Sequence, residues 1–390
     1  MDFSLNQEQE MFRGYVRKYL DDAGQTKTAR EFIKGETESL QSILTGMAEL
    51  GCTSINISEN YGGMGLGPLD LIPVLEETGR SLLPGLYLET NALAVPLLEK
   101  FGTEEQKERY LSEISNGTKS FSLAWLEPGG SYNPSGINLA VKEENNHLVL
   151  NGVKSLVPDA ELADHYIVLG RTSTGNGNGK EGISLIIIDR TATNMTIQRQ
   201  KNIDETRRLA ELTFTNVEIP MNQILGPLNH GWETLQEGLL SFNAALSAVI
   251  VGSMEKVVEM AAEYAKIREQ FGQPIGRFQA IKHRIVDMKM DLETARSLAY
   301  YANWALESNA EDRVQAISCA RLFATDAFTR ISSDNIQIHG GIGFTEEIDC
   351  HLFVKRARFY ENYLGSTEHY YNQAATALGW SNKDEAIISV

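Results

Sequence analysis

The sequence predicts an α+β fold in which two helical regions flank a β-rich middle region. From residue 7 to about residue 116, apolar residues recur three and four positions apart, which is typical of amphipathic helices. Between about residue 119 and residue 220 the period falls to two, as in strands, and helical spacing returns after Gly231. We therefore expect an N-terminal helical domain over residues 1–117, a middle β domain over 118–225 and a C-terminal helical domain over 226–390 that mediates assembly.

Individual elements follow from the same patterns. Five short β-rich runs, separated by turn residues, are predicted as strands of an antiparallel sheet: 121–125, 147–150, 165–169, 183–188 and 212–217. The Gly/Asn-rich stretch 174–179 is predicted to be a mobile hairpin tip. In the last region, steps of three and four residues predict one apolar helix stripe: Ile281, Ile285, Met288, Leu292 and Ala295.

Charge and composition exclude several classes of function. The 390 residues carry a net charge of −17, and no Lys/Arg-dense block opposes it, which disfavours nucleic acid and anionic membrane surfaces as partners. The N-terminus lacks the features of a secretory signal, and no 18 apolar residues run without a charge, so no membrane span is expected. The three cysteines have no Cys-x-x-Cys spacing, which favours reduced thiols and a cytoplasmic location.

The glycine clusters do not form nucleotide-binding loops of the common types. A P-loop needs Gly-Lys followed by Ser or Thr, but Gly179-Lys180 is followed by Glu181. The Gly63 and Gly341 clusters do not continue to the third glycine of a Rossmann turn. Since a Gly-x-Ser-x-Gly elbow and paired histidines at metal-ligand spacing are also missing, we expect neither hydrolase chemistry nor a metal site.

Six segments, spread over nearly the whole chain, occur in the order found in acyl-CoA dehydrogenases. They are 61–66 (YGGMGL), 127–130 (EPGG), 151–154 (NGVK), 268–272 (REQFG), 279–280 (QA) and 337–344 (QIHGGIGF). The chain therefore resembles this family, whose helical, β and helical domains match the order predicted above.

The resemblance implies an FAD enzyme that removes two hydrogens from an acyl-CoA substrate, with a glutamate as the base for the α proton. An electron-transferring flavoprotein is the implied electron acceptor, and fatty acid or steroid degradation the implied pathway class. In such enzymes each FAD lies across two subunits. One subunit supplies the flavin ring pocket and the base, and its neighbour contacts the pyrophosphate and adenine.

This chain departs from the family where the base should be. The matching C-terminal position is Leu364, and the position used by a minority of the family is Ala245, followed by Leu246 where an arginine is usual. Neither Leu364 nor Ala245 can accept a proton. Glu361, one helical turn before Leu364, is a candidate for a relocated base, although a surface carboxylate is its more ordinary role.

The β domain departs in the same direction. Leu126 and Pro158 replace the threonines that bond the flavin ring in relatives, and proline has no N–H to donate. Ser131 and Tyr132 are the two candidate substitutes for a serine that meets CoA in relatives. The resemblance indicates three candidate residues for substrate contact: Ser131, Phe242 and Asn243.

By contrast, the residues that relatives use to contact a neighbour's FAD are present. The arginine fork of Arg268 suits pyrophosphate, and the glycines allow close approach of the backbone. The implied cofactor-binding residues are Arg268, Gln270, Phe271, Gln279, Gln337, Gly340 and Gly341.

We therefore hypothesise a subunit of a mixed oligomer, such as a heterotetramer, whose homologous partner carries the base. The segments 157–160 (VPDA) and 364–366 (LGS) also resemble the non-catalytic subunits of such pairs. Three alternatives stay open. They are a self-sufficient dehydrogenase with a relocated base, a flavin-dependent monooxygenase on the same fold, and a non-catalytic protein that binds acyl-CoA or a partner.

Overall fold

Helices occupy both ends of the chain and strands occupy its middle in the computed structural model, which describes residues 5–173 and 179–380. The predicted α+β class is confirmed. Residues 174–178 of the predicted hairpin tip, 174–179, lie outside the described residues. The predicted domain boundaries stay predictions.

The first helices begin where local hydrogen bonds favour them. The Asn6 side chain accepts from the Gln9 N–H while the Gln9 side chain accepts from the Asn6 N–H, a capping box that starts the first helix. Two π-helical turns, Thr90–Ala94 and Lys107–Leu111, continue later helices. The helices are α1 (Gln7–Asp22), α2 (Lys27–Ile33), α3 (Glu38–Glu49), α4 (Pro68–Arg80), α5 (Tyr87–Glu89), α6 (Val95–Phe101), α7 (Glu104–Gln106) and α8 (Ser112–Ser115).

Eight strands of the described chain form one sheet in the order β6-β7-β3-β2-β4-β5-β8, with β1 beside β4. The strands are β1 (Phe121–Ala124), β2 (Ala140–Glu144), β3 (His147–Pro158), β4 (His165–Arg171), β5 (Ile183–Asp189), β6 (Met195–Gln200), β7 (Leu209–Pro220) and β8 (Ile224–Leu225). Irregularities follow Leu150 and Lys154, where β3 changes register against β7.

The sheet differs from the prediction in three respects. The strand β1 lies parallel to β4, because the 40 residues between them are long enough for a crossover, whereas most other pairs are antiparallel. The strands β2, β6 and β8 were not predicted, since most residues of β2 and β6 are polar and solvent-exposed and β8 has only two residues. The third strand extends to Pro158 rather than Leu150, because its irregularities interrupt the alternation that marks a strand.

The C-terminal elements are α9 (Gly231–Ile267), β9 (Glu269–Gln270), β10 (Gln273–Pro274), α10 (Gln279–Glu307), α11 (Arg313–His339), α12 (Cys350–Tyr360) and α13 (Thr367–Ala377). The predicted α10 stripe is buried at Met288, Leu292 and Ala295 but only half-buried at Ile281 and Ile285. The first turns of α10 therefore leave part of their apolar face available.

Among the described helices, α9 has a length and an apolar composition that would suit a membrane span. Its most apolar window is, however, 89% buried within the protein. Core helices of globular domains have the same properties, so the helix is weak evidence for a membrane.

The chain divides into two compact units. The sheet unit comprises residues 40–67 and 85–242, and the helical unit comprises 1–39, 68–84 and 243–390. Apolar side chains from six of the strands fill the core of the sheet unit. In the helical unit the backbones of α4 and α9 are in close contact. A Cβ on Gly252 would lie 1.8 Å from the Glu76 carbonyl oxygen, and a Cβ on Gly79 would lie 1.9 Å from the Val249 carbonyl oxygen. Both positions require glycine.

Candidate functional site

The implied FAD-contacting residues begin at a short hairpin of the helical unit. Arg268 follows α9, Gln270 lies in β9, and the Ile275 N–H donates to the Arg268 carbonyl oxygen at 2.8 Å, which closes the hairpin. Phe271 occupies the turn with a left-handed φ of 54° and is 93% exposed. Its ring centroid lies 6.0 Å from that of Phe278, edge to face. An aromatic side chain held this way at a tip is available to pack against another molecule.

A ring stack joins the end of α9 to the end of α11. The rings of Tyr264 and His339 are 4.1 Å apart between centroids and nearly parallel. His339 Nδ1 lies 2.9 Å from the Asn335 carbonyl oxygen, and burial lowers the pKa of the imidazole. Because Arg268 is one turn beyond Tyr264 and Gly340 directly follows His339, the stack brings the arginine hairpin and the glycine turn to the same end of the helical unit.

The glycine turn leaves space that this chain does not fill. Gly340 has a φ of 65°, which favours glycine, and a Cβ on either Gly340 or Gly341 would meet no atom within 4 Å. Gln337 is exposed on the last turn of α11, and Gln279 is exposed at the start of α10. Arg268 is exposed and has no ion pair or side-chain hydrogen bond with another described residue.

We call Arg268, Gln270, Phe271, Gln337, Gly340 and Gly341 the flavin half-site. Its unpaired guanidinium and open glycine backbone fit an anionic group such as a pyrophosphate. Four further cations follow or precede Arg268 within residues 266–284, against the single acidic residue Glu269. This segment is therefore locally basic in an acidic chain, although its cations are too widely spaced to form a dense basic block.

The position of the usual base is a closed apolar turn. Leu364 is 5% exposed and has a left-handed φ of 49°. The Tyr370 hydroxyl donates to the Leu364 carbonyl oxygen at 2.5 Å and is also hydrogen-bonded to the Asn243 side chain. Ser366 accepts from the His369 N–H and caps α13. The backbone turn is thus firmly held, but its side chain cannot take a proton.

Ala245 and Glu361, the two other candidate positions for the base, do not present an unpaired carboxylate either. Ala245 is 3% exposed and Leu246 is fully buried, so α9 presents only hydrocarbon there. Glu361 Oε1 accepts from Arg358 at 2.8 Å and from the Thr329 hydroxyl at 3.1 Å. A carboxylate held by these two bonds is typical of a structural role.

Predicted substrate contacts are placed as follows. The Ser131 hydroxyl oxygen accepts from the Asn133 N–H at 3.2 Å, within a local turn. The Tyr132 ring packs against Trp125 at 5.2 Å. Phe242 and Asn243 are both buried within α9. Asn243 Oδ1 has no hydrogen-bond partner among the described residues, which leaves a buried acceptor beside Tyr370.

The flavin-ring positions of the sheet unit offer no side-chain hydrogen bonds. Leu126 is 6% exposed, and its carbonyl oxygen accepts from the Ser155 N–H at 2.8 Å. Pro158 is buried, and its carbonyl oxygen accepts from the Ser122 hydroxyl at 2.5 Å. Leu156, on the irregular part of β3, is 43% exposed with a φ of 55°. These residues fit a flavin ring poorly, whereas the flavin half-site fits a pyrophosphate.

Two of the motifs that carry the resemblance contact each other. Lys154 Nζ, from the NGVK segment, donates to Glu127 Oε1 of the EPGG segment at 2.8 Å and to the Trp125 carbonyl oxygen at 3.0 Å. Glu127 also accepts from the N–H groups of Asn138 and Leu139. These bonds fix the loop after β1. Full burial of Lys154 lowers its pKa to about 8.

Lys154 should leave a signature in the pH dependence of stability. Its pKa is about 8 when folded and 10.5 ordinarily, so between these values the unfolded chain binds the extra proton. The contribution of Lys154 to the free energy of unfolding should then rise with pH across this window, by on the order of 3 kcal/mol. Buried Cys52 and Cys350, whose pKa values are raised, contribute in the opposite direction, so urea unfolding should show the Lys154 contribution as a difference in slope between the native protein and Lys154→Met. Identical slopes for the two proteins would contradict the assignment, and Lys142→Met, on the solvent side of β2, serves as control.

A buried charge cluster in the sheet unit was not predicted at all. Arg207 Nη2 donates to Glu89 Oε1 and Arg207 Nε to Asp159 Oδ2, both at 2.6 Å. All three side chains are at most 3% exposed. The partners lie 118 and 48 positions away in sequence, so no local pattern points to the cluster. Its role is to join α5, the end of β3 and the start of β7.

Comparison with known proteins identifies the three-part fold. The N-terminal, middle and C-terminal domain families of acyl-CoA dehydrogenase match residues 6–118, 122–217 and 229–379. The chain therefore belongs to the acyl-CoA dehydrogenase family, which is FAD-dependent, and its relatives are oxidoreductases.

Individual relatives span almost the full chain. The 3-(aryl)acrylate reductase of Clostridium sporogenes is 29% identical over 88% of this chain and 94% of its own. The caffeyl-CoA reductase-Etf complex subunit CarC of Acetobacterium woodii is 28% identical over 93% and 96%. Butyryl-CoA dehydrogenase from Megasphaera elsdenii is similar in structure, with a TM-score of 0.89 and 27% identity over 97% of this chain and 100% of that one.

Proposed function

We propose that this chain is the FAD-contacting, base-free subunit of a heteromeric acyl-CoA dehydrogenase. The buried, apolar Leu364 carries the proposal, because it fills the base position in a turn that is otherwise intact. A homologous partner would supply the base and the flavin ring pocket, and this chain would supply Arg268 and its neighbours.

The surface around the flavin half-site supports contact with a second chain. Three apolar side chains within or beside it are largely exposed, with Phe271 of the half-site at 93%, and Ile267 and Phe344 next to it at 77% and 78%. Exposed apolar groups at a single end of a unit mark interaction surfaces more often than isolated ones do. The unpaired Arg268 adds a cation that an anionic cofactor group would neutralise.

The reaction proposed for the complex is oxidation of an acyl-CoA thioester between its α and β carbons. FAD supplies the redox chemistry when bound. An electron-transferring flavoprotein is the proposed acceptor, which agrees with the Etf complex named for the relative CarC. The residues of this chain would position the cofactor's pyrophosphate half, and none of the three base positions discussed above would move a proton.

Flavin content and activity test the proposal. We expect the chain expressed alone to hold FAD well below one per chain and to oxidise acyl-CoA poorly. Purified from its native host, it should carry a homologous chain with a carboxylate at the base position, and this complex should contain flavin that acyl-CoA bleaches.

A substitution separates the proposal from a self-sufficient enzyme. Leu364→Glu restores the carboxylate in the isolated chain but should restore little activity, because Leu126 and Pro158 still provide no side-chain hydrogen bond to a flavin ring. Leu364→Gln is the isosteric control. Full flavin occupancy of the unmodified chain, with rapid bleaching by acyl-CoA, would show that it has a working site of its own.

A further inference from the structure

Two aromatic rings join the two parts of the flavin half-site, the arginine hairpin and the glycine turn. The rings of Tyr264 and His339 are 4.1 Å apart between centroids and inclined by 25°. The Tyr264 carbonyl oxygen accepts from the Arg268 N–H at 2.9 Å, and His339 ends α11 directly before Gly340. The stack is therefore a direct link between the last turn of α9 and the residue that begins the glycine turn.

Contacts within α11 and with α12 fix the His339 ring. His339 Nδ1 lies 2.9 Å from the Asn335 carbonyl oxygen, and the Asn335 side chain donates to Cys350 Sγ at 3.3 Å. All three residues are buried. A ring that is both packed and hydrogen-bonded keeps one orientation, so His339 offers Tyr264 a fixed face.

The glycine turn is also anchored on its other side. A Cβ on Gly343 would lie 2.8 Å from the Ile336 carbonyl oxygen, so the turn folds back closely onto α11. Beyond the turn, Arg30 of α2 donates to the Glu346 carbonyl oxygen at 2.9 Å and to Asp349 Oδ1 at 2.7 Å. The open backbone of the turn is thus held in one shape, and the arginine hairpin has to be placed against it.

We propose that Tyr264 is a positioning residue of the flavin half-site, which acts through the His339 ring to hold Arg268 at a fixed distance from the glycine turn. A guanidinium and a backbone cradle can bind the two linked phosphates of a pyrophosphate together only when their separation is right. Sites of this kind have to be held to within about 0.5 Å. The inference rests on the proposed contact of this chain with FAD, but it does not depend on which chain carries the base.

A double-mutant cycle separates positioning from simple stabilisation. In the assembly of this chain that carries flavin, Tyr264→Leu should raise the dissociation constant of FAD about tenfold. If Tyr264 acts through the placement of Arg268, the same change should have little further effect in the Arg268→Ala background. Tyr264→Phe keeps the ring and should keep the affinity. Tyr301→Leu, which removes a ring stacked on Trp304 in α10, is the matched control and should leave the dissociation constant unchanged.

Amide hydrogen exchange of the chain alone gives a readout that needs neither flavin nor a partner. Tyr264→Leu should speed exchange in both segments that the stack joins, 268–275 and 340–344, whereas Tyr264→Phe should not. Exchange in α1 should stay unchanged in both variants, which distinguishes a local loosening from loss of the fold.

Four results would overturn the inference. They are an unchanged FAD affinity in Tyr264→Leu, additive effects of Tyr264→Leu and Arg268→Ala, an equal loss in Tyr264→Phe, and faster exchange in only one of the two segments. An assembly that holds no flavin at all would overturn both this inference and the proposed function. Flavin in a homo-oligomer of this chain, with the coupling intact, would refute the heteromeric proposal and support the positioning role.

Discussion

Replacing Arg268 with alanine should release flavin from the assembled complex while leaving the fold of this chain intact. Its guanidinium is exposed and unpaired within the described residues, so its removal costs the folded chain little. A charge-assisted bond to pyrophosphate is worth about 1.5–3 kcal/mol. The FAD affinity of the complex should therefore fall roughly ten- to hundredfold, as measured by bound flavin per chain after dialysis.

The alternatives differ in which variant and which assembly lose flavin. Arg284→Ala, an exposed but paired arginine of the same unit, should retain its flavin. Flavin lost from a homo-oligomer of this chain alone would indicate a self-sufficient dehydrogenase or a monooxygenase. A non-catalytic relative would have no flavin to lose, and unchanged flavin without any partner chain would refute the heteromeric proposal.

Arg207→Met should be the most destabilising substitution proposed for the sheet unit. It removes the cation that lies 2.6 Å from both Glu89 and Asp159 and leaves two buried carboxylates without it. Breaking a buried ion pair by removing one partner costs about 3–5 kcal/mol. Urea unfolding of the variant should show a loss of that size, whereas Arg190→Met, on an exposed arginine, should change stability little.

The pH dependence of this loss identifies its cause. Burial already raises the pKa of Glu89, and removing Arg207 should raise it further. When the pKa of a carboxyl is higher in the folded than in the unfolded protein, the free energy of unfolding falls as the pH rises through these pKa values. The deficit of Arg207→Met should therefore grow from pH 5 to pH 8. Glu89→Gln and Asp159→Asn, added to Arg207→Met, should recover part of the stability, and failure to do so would point to lost packing rather than to unpaired charge.

Local patterns predicted the fold where side chains are well buried. The β-rich runs 165–169 and 183–188 correspond to strands that are buried on both faces, and the loss of helical spacing marks the middle region. The polar, weakly buried strands β2 and β6 have no comparable pattern in their sequences. The parallel pairing of β1 with β4 is set by tertiary topology, which a local pattern does not contain.

The candidate site was predictable in part for a similar reason. The family motifs pointed to Arg268 and Gly340, and the stack of Tyr264 on His339 places both at one end of the helical unit. Their contact with FAD stays a prediction. The same motifs gave no hint that Lys154 and Glu127 bond to each other, or that Arg30 anchors the residues that follow the glycine turn. Those relations depend on how distant segments meet in space.

The turn at Leu364 has a consequence for redesign of the enzyme. Leucine has no intrinsic preference for a φ of 49°, a conformation that costs a residue with a Cβ about 1–2 kcal/mol. The shape must therefore be imposed by its surroundings, chiefly the hydroxyl of Tyr370 and the cap at Ser366. On the proposed function, a designer who introduces a base here would use a backbone that is already in place. The effort belongs instead in the sheet unit, at Leu126 and Pro158, where the side chains have to be changed.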